Sequence, residues 1–153
     1  MAAMRTSKRV EPDFVCTRVF NAPRALVFRA FTDADILAQW WGPAGFTNTF
    51  QEFVPEAGRV WRFVMHGPDG REYQMTNEFV EIVPDEKIVL QHHQAGHNFC
   101  LEMTCTDEGA QTRLTWRIWF ESAEEAERVR PVLNQANEQN FDRLAAQLAE
   151  LTR

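Results

Sequence analysis

Three of the four histidines in this sequence, His92, His93 and His97, fall within six residues and could do metal or acid–base chemistry. Imidazole is a common zinc ligand, and His66 and the cysteines are further possible ligands. Neighbouring residues on a strand face opposite sides, however, so His92 and His93 cannot join one site. Neither the HExxH pattern nor a Cys/His zinc spacing occurs. The sequence therefore predicts no metal centre.

The acid–base candidates are His92, Glu78 and Tyr73, each of which must lie inside a cavity to be catalytic. His92 shares a strand face with Ile88 and Leu90, which predicts that it points inward. There it could hydrogen-bond a ligand or carry a proton. The alternative interpretation is a histidine whose hydrogen bonds are satisfied by its neighbours at the rim of the sheet.

The facing of the strand around Glu78 is ambiguous, because its apolar residues support two inner faces. Met75 and Phe79 favour one face, whereas Val80 and Ile82 favour the other. A β-bulge near Asn77 would reconcile the two patterns and would decide whether Glu78 is inside. An inward Glu78 with a raised pKa would be a catalytic candidate, and an outward one would not.

Other classes of function are excluded by composition and by missing motifs. A net charge of -6 and the lack of a basic block argue against nucleic-acid binding. The sequence contains no run of eighteen apolar residues, so it predicts no membrane-spanning segment. There is no nucleophile elbow, phosphate loop or dinucleotide fingerprint, so no cofactor is predicted. Three cysteines without a secretion signal indicate reduced thiols and a cytoplasmic location.

The adjacent tryptophans Trp40 and Trp41, followed by Gly42-Pro43, indicate either a filled core or the wall of a cavity. Adjacent residues cannot face the same way on a helix or a strand. We therefore expect one ring to point inward and the other to pack beneath the loop. Aromatic walls with a few polar groups are typical of small-molecule sites, so at least one ring is a candidate for ligand contact.

Further aromatic, methionine and apolar residues alternate along the predicted strands and should share one concave face with the tryptophans. Each on its own is explained by ordinary core packing, but together they favour a cavity for an apolar or aromatic body. On the last helix, Asn134, Asn137 and Asn140 lie near one stripe, which either meets the cavity mouth or, as the favoured interpretation, is solvated. The candidate ligand-binding residues are Trp40, Trp41, Phe46, Trp61, Phe63, Met65, Met75, His92, Phe99, Leu101, Met103, Trp116, Ile118, Asn137 and Phe141.

The elements that must position these residues can be located from periodicity and from Gly and Pro signals. The pattern predicts a strand, two short helices, six strands in an antiparallel meander, and one long C-terminal helix. The predicted strands are 14–20, 47–54, 59–66, 71–83, 87–94, 98–106 and 111–121, and the helices are 24–32, 33–40 and about 123–151. Residues 1–12 are interpreted as a flexible leader and 13–153 as one domain.

The long helix has Ser122 as its predicted N-cap and an apolar face that includes Val132 and Leu144. Pro131 predicts a kink or a late start. This helix is the only long element able to cover the inner face of the sheet. The predicted class is therefore α+β: a curved antiparallel sheet of about seven strands wrapped around the C-terminal helix, with two short helices between the first two strands.

Several motifs resemble those of a known superfamily: Arg18-Val-Phe-Asn-Ala-Pro23, Trp40-Trp-Gly-Pro-Ala-Gly-Phe46, the stretch from Gly58 to Gly70, and Phe79-Val-Glu-Ile-Val-Pro84. They are similar to the START-like, or SRPBCC, superfamily with its helix-grip fold. Within it they resemble the branch related to the C-terminal domain of the activator of Hsp90 ATPase. Asn77 and Ala57 depart from glycines usual in this branch, which affects local strand curvature.

The resemblance implies three classes of function. The first is binding of a small apolar or aromatic molecule in a cavity between the sheet and the C-terminal helix, for transport, sequestration or sensing. The second is an enzyme of cyclase, dehydratase or hydrolase type acting on such a molecule, which requires an inward acid or base. The third is a chaperone-interacting module. Binding is favoured over catalysis, and the resemblance alone suggests a homodimer.

Overall fold

The computed structural model describes residues 11–153, and within them the predicted α+β class is confirmed. The predicted flexible leader lies outside the described residues, apart from Glu11 and Pro12. No helix in the described range is long and apolar enough to span a membrane. In chain order the elements are β1 (Phe14–Phe20), α1 (Arg24–Thr32), α2 (Ala34–Trp40), β2 (Thr47–Phe53), β3 (Val60–His66), β4 (Glu72–Val83), β5 (Lys87–His92), β6 (Phe99–Glu108), β7 (Gln111–Phe120) and α3 (Ala123–Leu151).

The seven described strands form one antiparallel sheet in the order β1-β7-β6-β5-β4-β3-β2. Strands β2 to β7 follow one another as a meander, and β1 joins at the far side by pairing with β7. Across β3 to β7, one row of inner-face partners runs from Trp61 through Asn77, His92 and Phe99 to Phe120. This row places the polar Asn77 and His92 among aromatic side chains.

The expected bulge in β4 exists, and it lies just beyond Asn77 and Glu78. The register with β5 shifts between Phe79 and Glu81, a few residues after Asn77. Up to Phe79 the strand keeps the parity set by the pairing of Phe63 with Met75. Glu78 therefore lies on the outer face of the sheet. After the extra residue, Ile82 returns to the inner face and packs against the main core.

The two short helices turn the chain sharply between β1 and β2. The side chain of Asp33 caps α2 by accepting hydrogen bonds from the N–H groups of Asp35 (3.0 Å) and Ile36 (3.3 Å). Helix α2 ends at Trp40, and Gly42 then takes a positive φ of 101°, which glycine adopts without steric cost. These helices cover one end of the inner face.

Helix α3 runs unbroken through Pro131, so the predicted late start was wrong. The prediction that Val132 belongs to its apolar face was also wrong, because Val132 is 64% exposed. The proline ring and Val132 lie on the solvent side, where a missing backbone hydrogen bond is easily replaced by water. The side that faces the sheet instead buries Ala126, Asn137, Asn140, Phe141, Leu144 and Leu148.

Candidate functional site

A cavity of about 250 Å³ lies between the inner face of the sheet and α3. Its wall combines three sources: the loop after α2, the inner faces of β3 to β7 with the β5–β6 turn, and one face of α3. From the loop come Trp41, Gly42 and Pro43; from the sheet and turn Met65, Met75, His92, Gln94, His97, Phe99, Leu101, Trp116, Ile118 and Phe120; and from the helix Leu133, Ala136, Asn137 and Asn140.

The adjacent tryptophans divide between the cavity and the core. The ring of Trp41 lines the cavity, as the sequence predicted for one of the pair. Trp40 is fully buried beneath the two short helices, where its indole N–H donates to the carbonyl of Ala30 at 3.0 Å. Its ring packs against Phe31 with centroids 4.9 Å apart. Trp40 is therefore a structural residue, whereas Trp41 is part of the site.

We call the part of the wall around Trp41 and Trp116 the tryptophan end. The Trp41 ring centroid lies 5.7 Å from that of Trp116 and 5.1 Å from that of Trp61 behind the wall. The buried indole N–H groups of Trp61 and Trp116 have no hydrogen-bond partner among residues 11–153. Of these two, only Trp116 lines the cavity. The tryptophan end thus has an unsatisfied donor on a wall residue.

The loop that carries Trp41 is fastened to α3 by its backbone. The guanidinium of Arg143 donates to the carbonyls of Trp41, Gly42 and Pro43 at 3.2, 2.9 and 3.0 Å, and to that of Gln39 at 2.9 Å. The side-chain oxygen of Asn140 accepts from the Gly42 N–H at 3.2 Å. Because these hydrogen bonds tie the backbone of the loop to α3, the loop is held in place as one wall of the cavity.

The opposite part of the wall, around His92, Gln94 and His97, is the histidine end. Trp116 lies four residues before Phe120 on β7, and Phe120 packs against His97, so the two ends are roughly 13 Å apart along this strand. His92 has both ring nitrogens engaged: Nδ1 lies 2.8 Å from Asn77 Oδ1, and Nε2 lies 3.1 Å from Gln94 Oε1.

Burial lowers the pKa of His92 to about 4, so its ring is neutral at physiological pH. A neutral imidazole has a single N–H, and it can donate to only one of the two amides. The other amide must present its NH₂ group to the remaining ring nitrogen. His92 is therefore held between two amides as a fixed, uncharged part of the wall.

His97 is bonded differently. Its Nδ1 makes a short contact with the carboxylate of Glu125 in the first turn of α3. That carboxylate also accepts two hydrogen bonds from Arg128, at 2.7 and 2.5 Å. The bonds from Arg128, and then the one from His97, lower the pKa of Glu125 to about 2. Glu125 therefore stays ionised at neutral pH and remains an acceptor for the His97 N–H.

The structure brings together on the cavity wall the predicted residues Trp41, Met65, Met75, His92, Phe99, Leu101, Trp116, Ile118 and Asn137. It leaves others off the wall. Trp61 and Phe63 stack on each other in the core with centroids 4.4 Å apart. Trp40, Met103 and Phe141 are likewise almost fully buried outside the cavity, and Phe46 packs against Tyr73 at the rim with ring centroids 6.1 Å apart.

Two of the three acid–base candidates lie outside the cavity wall. Glu78 is on the outer face, where its carboxylate lies 3.1 Å from Nε2 of His93. Tyr73 is 41% exposed at the rim. The physical reason is the bulge position: because the extra residue follows Phe79, it cannot turn Glu78 inward. His92 does face the cavity, as predicted from its position on the same strand face as Ile88 and Leu90.

Sequence reasoning missed His97 and Glu125 as neighbours at the site. His97 entered only a metal hypothesis, and no group of three or more metal-ligating side chains occurs among the described residues. The preference for a solvated asparagine stripe on α3 was wrong for Asn137 and Asn140, which are buried on the cavity wall, whereas Asn134 is exposed. The three-residue spacing of Asn137 and Asn140 places both on one face of the helix, and this spacing was the sequence feature that could have predicted their shared burial.

The family and the fold follow from comparison with known proteins. The model of the family described as activator of Hsp90 ATPase homolog 1-like protein matches residues 21–151. A solution structure from Arthrobacter aurescens aligns with a TM-score of 0.82 at 21% identity, covering 90% of this chain and 86% of that one. A crystal structure from Nitrosomonas europaea aligns with a TM-score of 0.83 at 14% identity, covering 94% and 99%.

A third similar structure comes from Chromobacterium violaceum, with a TM-score of 0.78 at 24% identity and coverage of 88% of this chain and 96% of that one. At these identities the structures establish the fold alone. No curated protein matches the chain. The chain belongs to the activator of Hsp90 ATPase homolog 1-like family, within the START-like superfamily, as its motifs predicted. This fold is compatible with a ligand-binding domain.

Proposed function

We propose that this protein binds a small, uncharged, largely aromatic molecule that carries a hydrogen-bond acceptor, in the cavity between the sheet and α3. The observation that carries the proposal is the buried indole N–H of Trp116, which belongs to a wall residue and has no acceptor among residues 11–153. An unsatisfied buried donor costs about 1–3 kcal/mol. A bound acceptor would remove that cost.

The apolar part of the wall supports an aromatic ligand. Trp41, Phe99 and Phe120 offer ring faces and edges, against which a planar molecule packs favourably. Met65 and Met75 add flexible thioethers that can adjust to ligand shape. The cavity volume of about 250 Å³ suits a ligand of two fused rings with a small substituent.

The polar part of the wall supports a ligand without a net charge. His92 is neutral, and the carboxylate of Glu125 is already paired with the guanidinium of Arg128. Asn137 and Asn140 contribute amides, which can donate or accept but carry no charge. A charged ligand would lose its hydration without gaining an opposite charge in the cavity.

Calorimetry with two matched probes tests this proposal. The first probe is 2-acetylnaphthalene, and the second is 2-isopropylnaphthalene, in which a methyl group replaces the carbonyl oxygen. We expect both to bind with one-to-one stoichiometry, the ketone about five- to tenfold more tightly, because it satisfies one buried donor. Absence of saturable binding by either probe would contradict the proposal.

A pair of tryptophan variants locates the acceptor contact. Trp116→Phe removes the buried, unsatisfied N–H of a wall residue, and Trp61→Phe removes that of a residue behind the wall. We expect the preference for the ketone to disappear in Trp116→Phe and to persist in Trp61→Phe. Equal loss in both variants would show that the preference does not come from the Trp116 donor.

A further inference from the structure

His97 has the arrangement of a base whose reactive nitrogen is free. Its Nδ1 contacts the Glu125 carboxylate, which fixes the ring and favours the tautomer with the proton on Nδ1. The lone pair then lies on Nε2, and Nε2 makes no hydrogen bond within residues 11–153. Because His97 lines the cavity, Nε2 is the ring nitrogen left to meet a bound molecule.

Glu125 is itself held in place, as a group that orients a base must be. The guanidinium of Arg128, one turn further along α3, donates to both carboxylate oxygens of Glu125. The backbone N–H of Glu125 also donates to the side-chain hydroxyl of the N-cap Ser122 at 3.2 Å. The contact with His97 therefore joins the β5–β6 turn to a rigid helix start. It fixes the orientation of the imidazole relative to the cavity.

The other three histidines lack this combination. His92 has both nitrogens bonded to amides. His66 has Nε2 2.8 Å from the Thr49 hydroxyl and Nδ1 3.2 Å from Glu72. His93 pairs with Glu78, but on the outer face of the sheet and away from the cavity wall. Among the four histidines, only His97 has a ring oriented by a carboxylate, a second ring nitrogen without a hydrogen bond to residues 11–153, and a position on the cavity wall.

From this geometry we propose that His97 is a general base that takes a proton from the molecule bound in the cavity, with Glu125 as its positioning residue; the inference rests on the proposed binding function. The substrate class is an uncharged aromatic molecule with a weakly acidic C–H, N–H or O–H group at the histidine end. Nε2 accepts the proton, and the bonding electron pair stays on the substrate. The Glu125 carboxylate stabilises the resulting imidazolium.

The aromatic surroundings of His97 make such a transfer more effective than it is in water. Ring centroids of Phe99 and Phe120 lie 5.6 and 5.5 Å from that of His97. These rings exclude water from one side of the imidazole, so the negative charge of Glu125 is less screened. The groups that face His97 from its neighbours are Glu125 with Arg128 on α3 and the neutral His92 on β5.

A coloured proton-abstraction reaction tests the proposal. The probe is 5-nitrobenzisoxazole, a planar bicyclic molecule whose ring C–H loses its proton to a base. The C–H electron pair forms a nitrile while the N–O bond breaks and leaves its pair on oxygen, which gives the absorbing 2-cyano-4-nitrophenolate. We expect saturable turnover that is inhibited by 2-acetylnaphthalene, and a loss of at least about 100-fold in kcat for His97→Gln.

Three further variants separate positioning from folding. Glu125→Gln should lower kcat about tenfold with little change in KM, and Glu125→Asp should restore part of the loss. His93→Gln removes the histidine of a His–Glu pair on the outer face and should leave turnover unchanged. Wild-type ¹⁵N NMR supplies a test that needs no variant: the neutral His97 ring should carry its proton on Nδ1.

The outcomes distinguish this inference from the binding function. If the protein binds 2-acetylnaphthalene and the benzisoxazole but turns the latter over no faster than free imidazole, the base role is wrong and binding stands. The base role is equally wrong if His97→Gln matches the wild type, or if NMR finds the proton on Nε2. If neither probe binds, the proposed binding function fails as well.

Discussion

The two ends of the cavity satisfy their polar groups in opposite ways. At the tryptophan end, the indole N–H of Trp116 is buried without a partner among the described residues, although the loop backbone beside it is hydrogen-bonded to Arg143 and Asn140. At the histidine end, His92 is bonded at both nitrogens and His97 is bonded to Glu125. The tryptophan end therefore lacks an acceptor for one buried donor, whereas the polar side chains of the histidine end are hydrogen-bonded to one another.

This difference separates recognition from chemistry. A buried donor without a partner gains most from a ligand acceptor, so the tryptophan end should determine which molecules bind. An imidazole oriented by a carboxylate gains little binding energy but can move a proton, so the histidine end should determine what happens to them. Variants at each end test whether ligand recognition and proton transfer depend on different residues.

The largest expected effect is the pH dependence that His92 gives to folding. Burial lowers the pKa of His92 from 6.5 to about 4 in the folded protein. Between these values the unfolded chain binds a proton that the folded chain does not, so stability falls as pH decreases from about 6.5 to about 4. The loss attributable to His92 should be about 3 kcal/mol.

Urea unfolding of the wild type and His92→Gln at pH 7.5 and pH 4.2 measures this term. The variant should lose about 3 kcal/mol less than the wild type over that interval, and His93→Gln should behave as the wild type does. Equal pH dependence in all three proteins would mean that His92 is not buried as a neutral ring.

Removing the Arg143 guanidinium should be the next largest change. Arg143→Ala leaves the carbonyls of Gln39 and Gly42 without this donor, whereas those of Trp41 and Pro43 still accept from the Asn48 amide and the Phe46 N–H. We expect a loss of about 2–3 kcal/mol in the free energy of unfolding. Affinity for 2-acetylnaphthalene should fall because Trp41 is no longer held, while the His97 tautomer stays unchanged. Arg153→Ala, which removes one member of an exposed ion pair at the end of the chain, is the control and should change stability by less than about 0.5 kcal/mol.

Gly42→Ala should produce a smaller effect confined to the tryptophan end. Gly42 has a φ of 101°, and an added Cβ would lie 2.6 Å from the terminal carbon of Met65, which must move within the cavity wall. We expect about 1–2 kcal/mol of destabilisation and weaker probe binding. Gly58→Ala has a similar φ of 87° and open space around it, so it should share the strain and retain full affinity. Unchanged affinity in Gly42→Ala would place the ligand away from Met65.

Among the variants at the cavity, the smallest change in stability is expected for His97→Gln. His97 is partly exposed, so its contact with Glu125 competes with water and contributes little to the free energy of unfolding. Urea unfolding at neutral pH should therefore detect a smaller change than for Gly42→Ala or Arg143→Ala, even though proton transfer is lost. A stability loss as large as that of Arg143→Ala would identify His97 as a structural residue rather than a base.

The sequence predicted the elements because turn residues mark their ends. Pro23 precedes α1, Gly42 follows α2, and Gly67 and Gly70 flank the β3–β4 turn. Alternation then fixed the inner faces of β3 and β7. The bulge at Val80 has no such marker, because it is a matter of register between two strands. This is why the facing of Glu78 could not be decided in advance.

The candidate site was predictable only where it follows a strand pattern. His92 and Trp116 were identified from alternation. The contact between His97 and Glu125 joins residues 28 positions apart, on a turn and a helix start, and no periodicity connects them. The burial of Asn137 and Asn140 depends on how α3 is rotated against the sheet, which packing rather than local sequence decides.

The most direct test of ligand recognition by Trp116 follows the indole N–H signals of the five tryptophans by NMR during titration with 2-acetylnaphthalene. Assignment by single Trp→Phe variants identifies each peak. We expect the Trp116 signal to move downfield as its N–H gains an acceptor, Trp41 to shift through ring contact, and Trp119 on the outer face to stay in place. A titration that leaves Trp116 unmoved, or moves only Trp119, would contradict recognition at the tryptophan end.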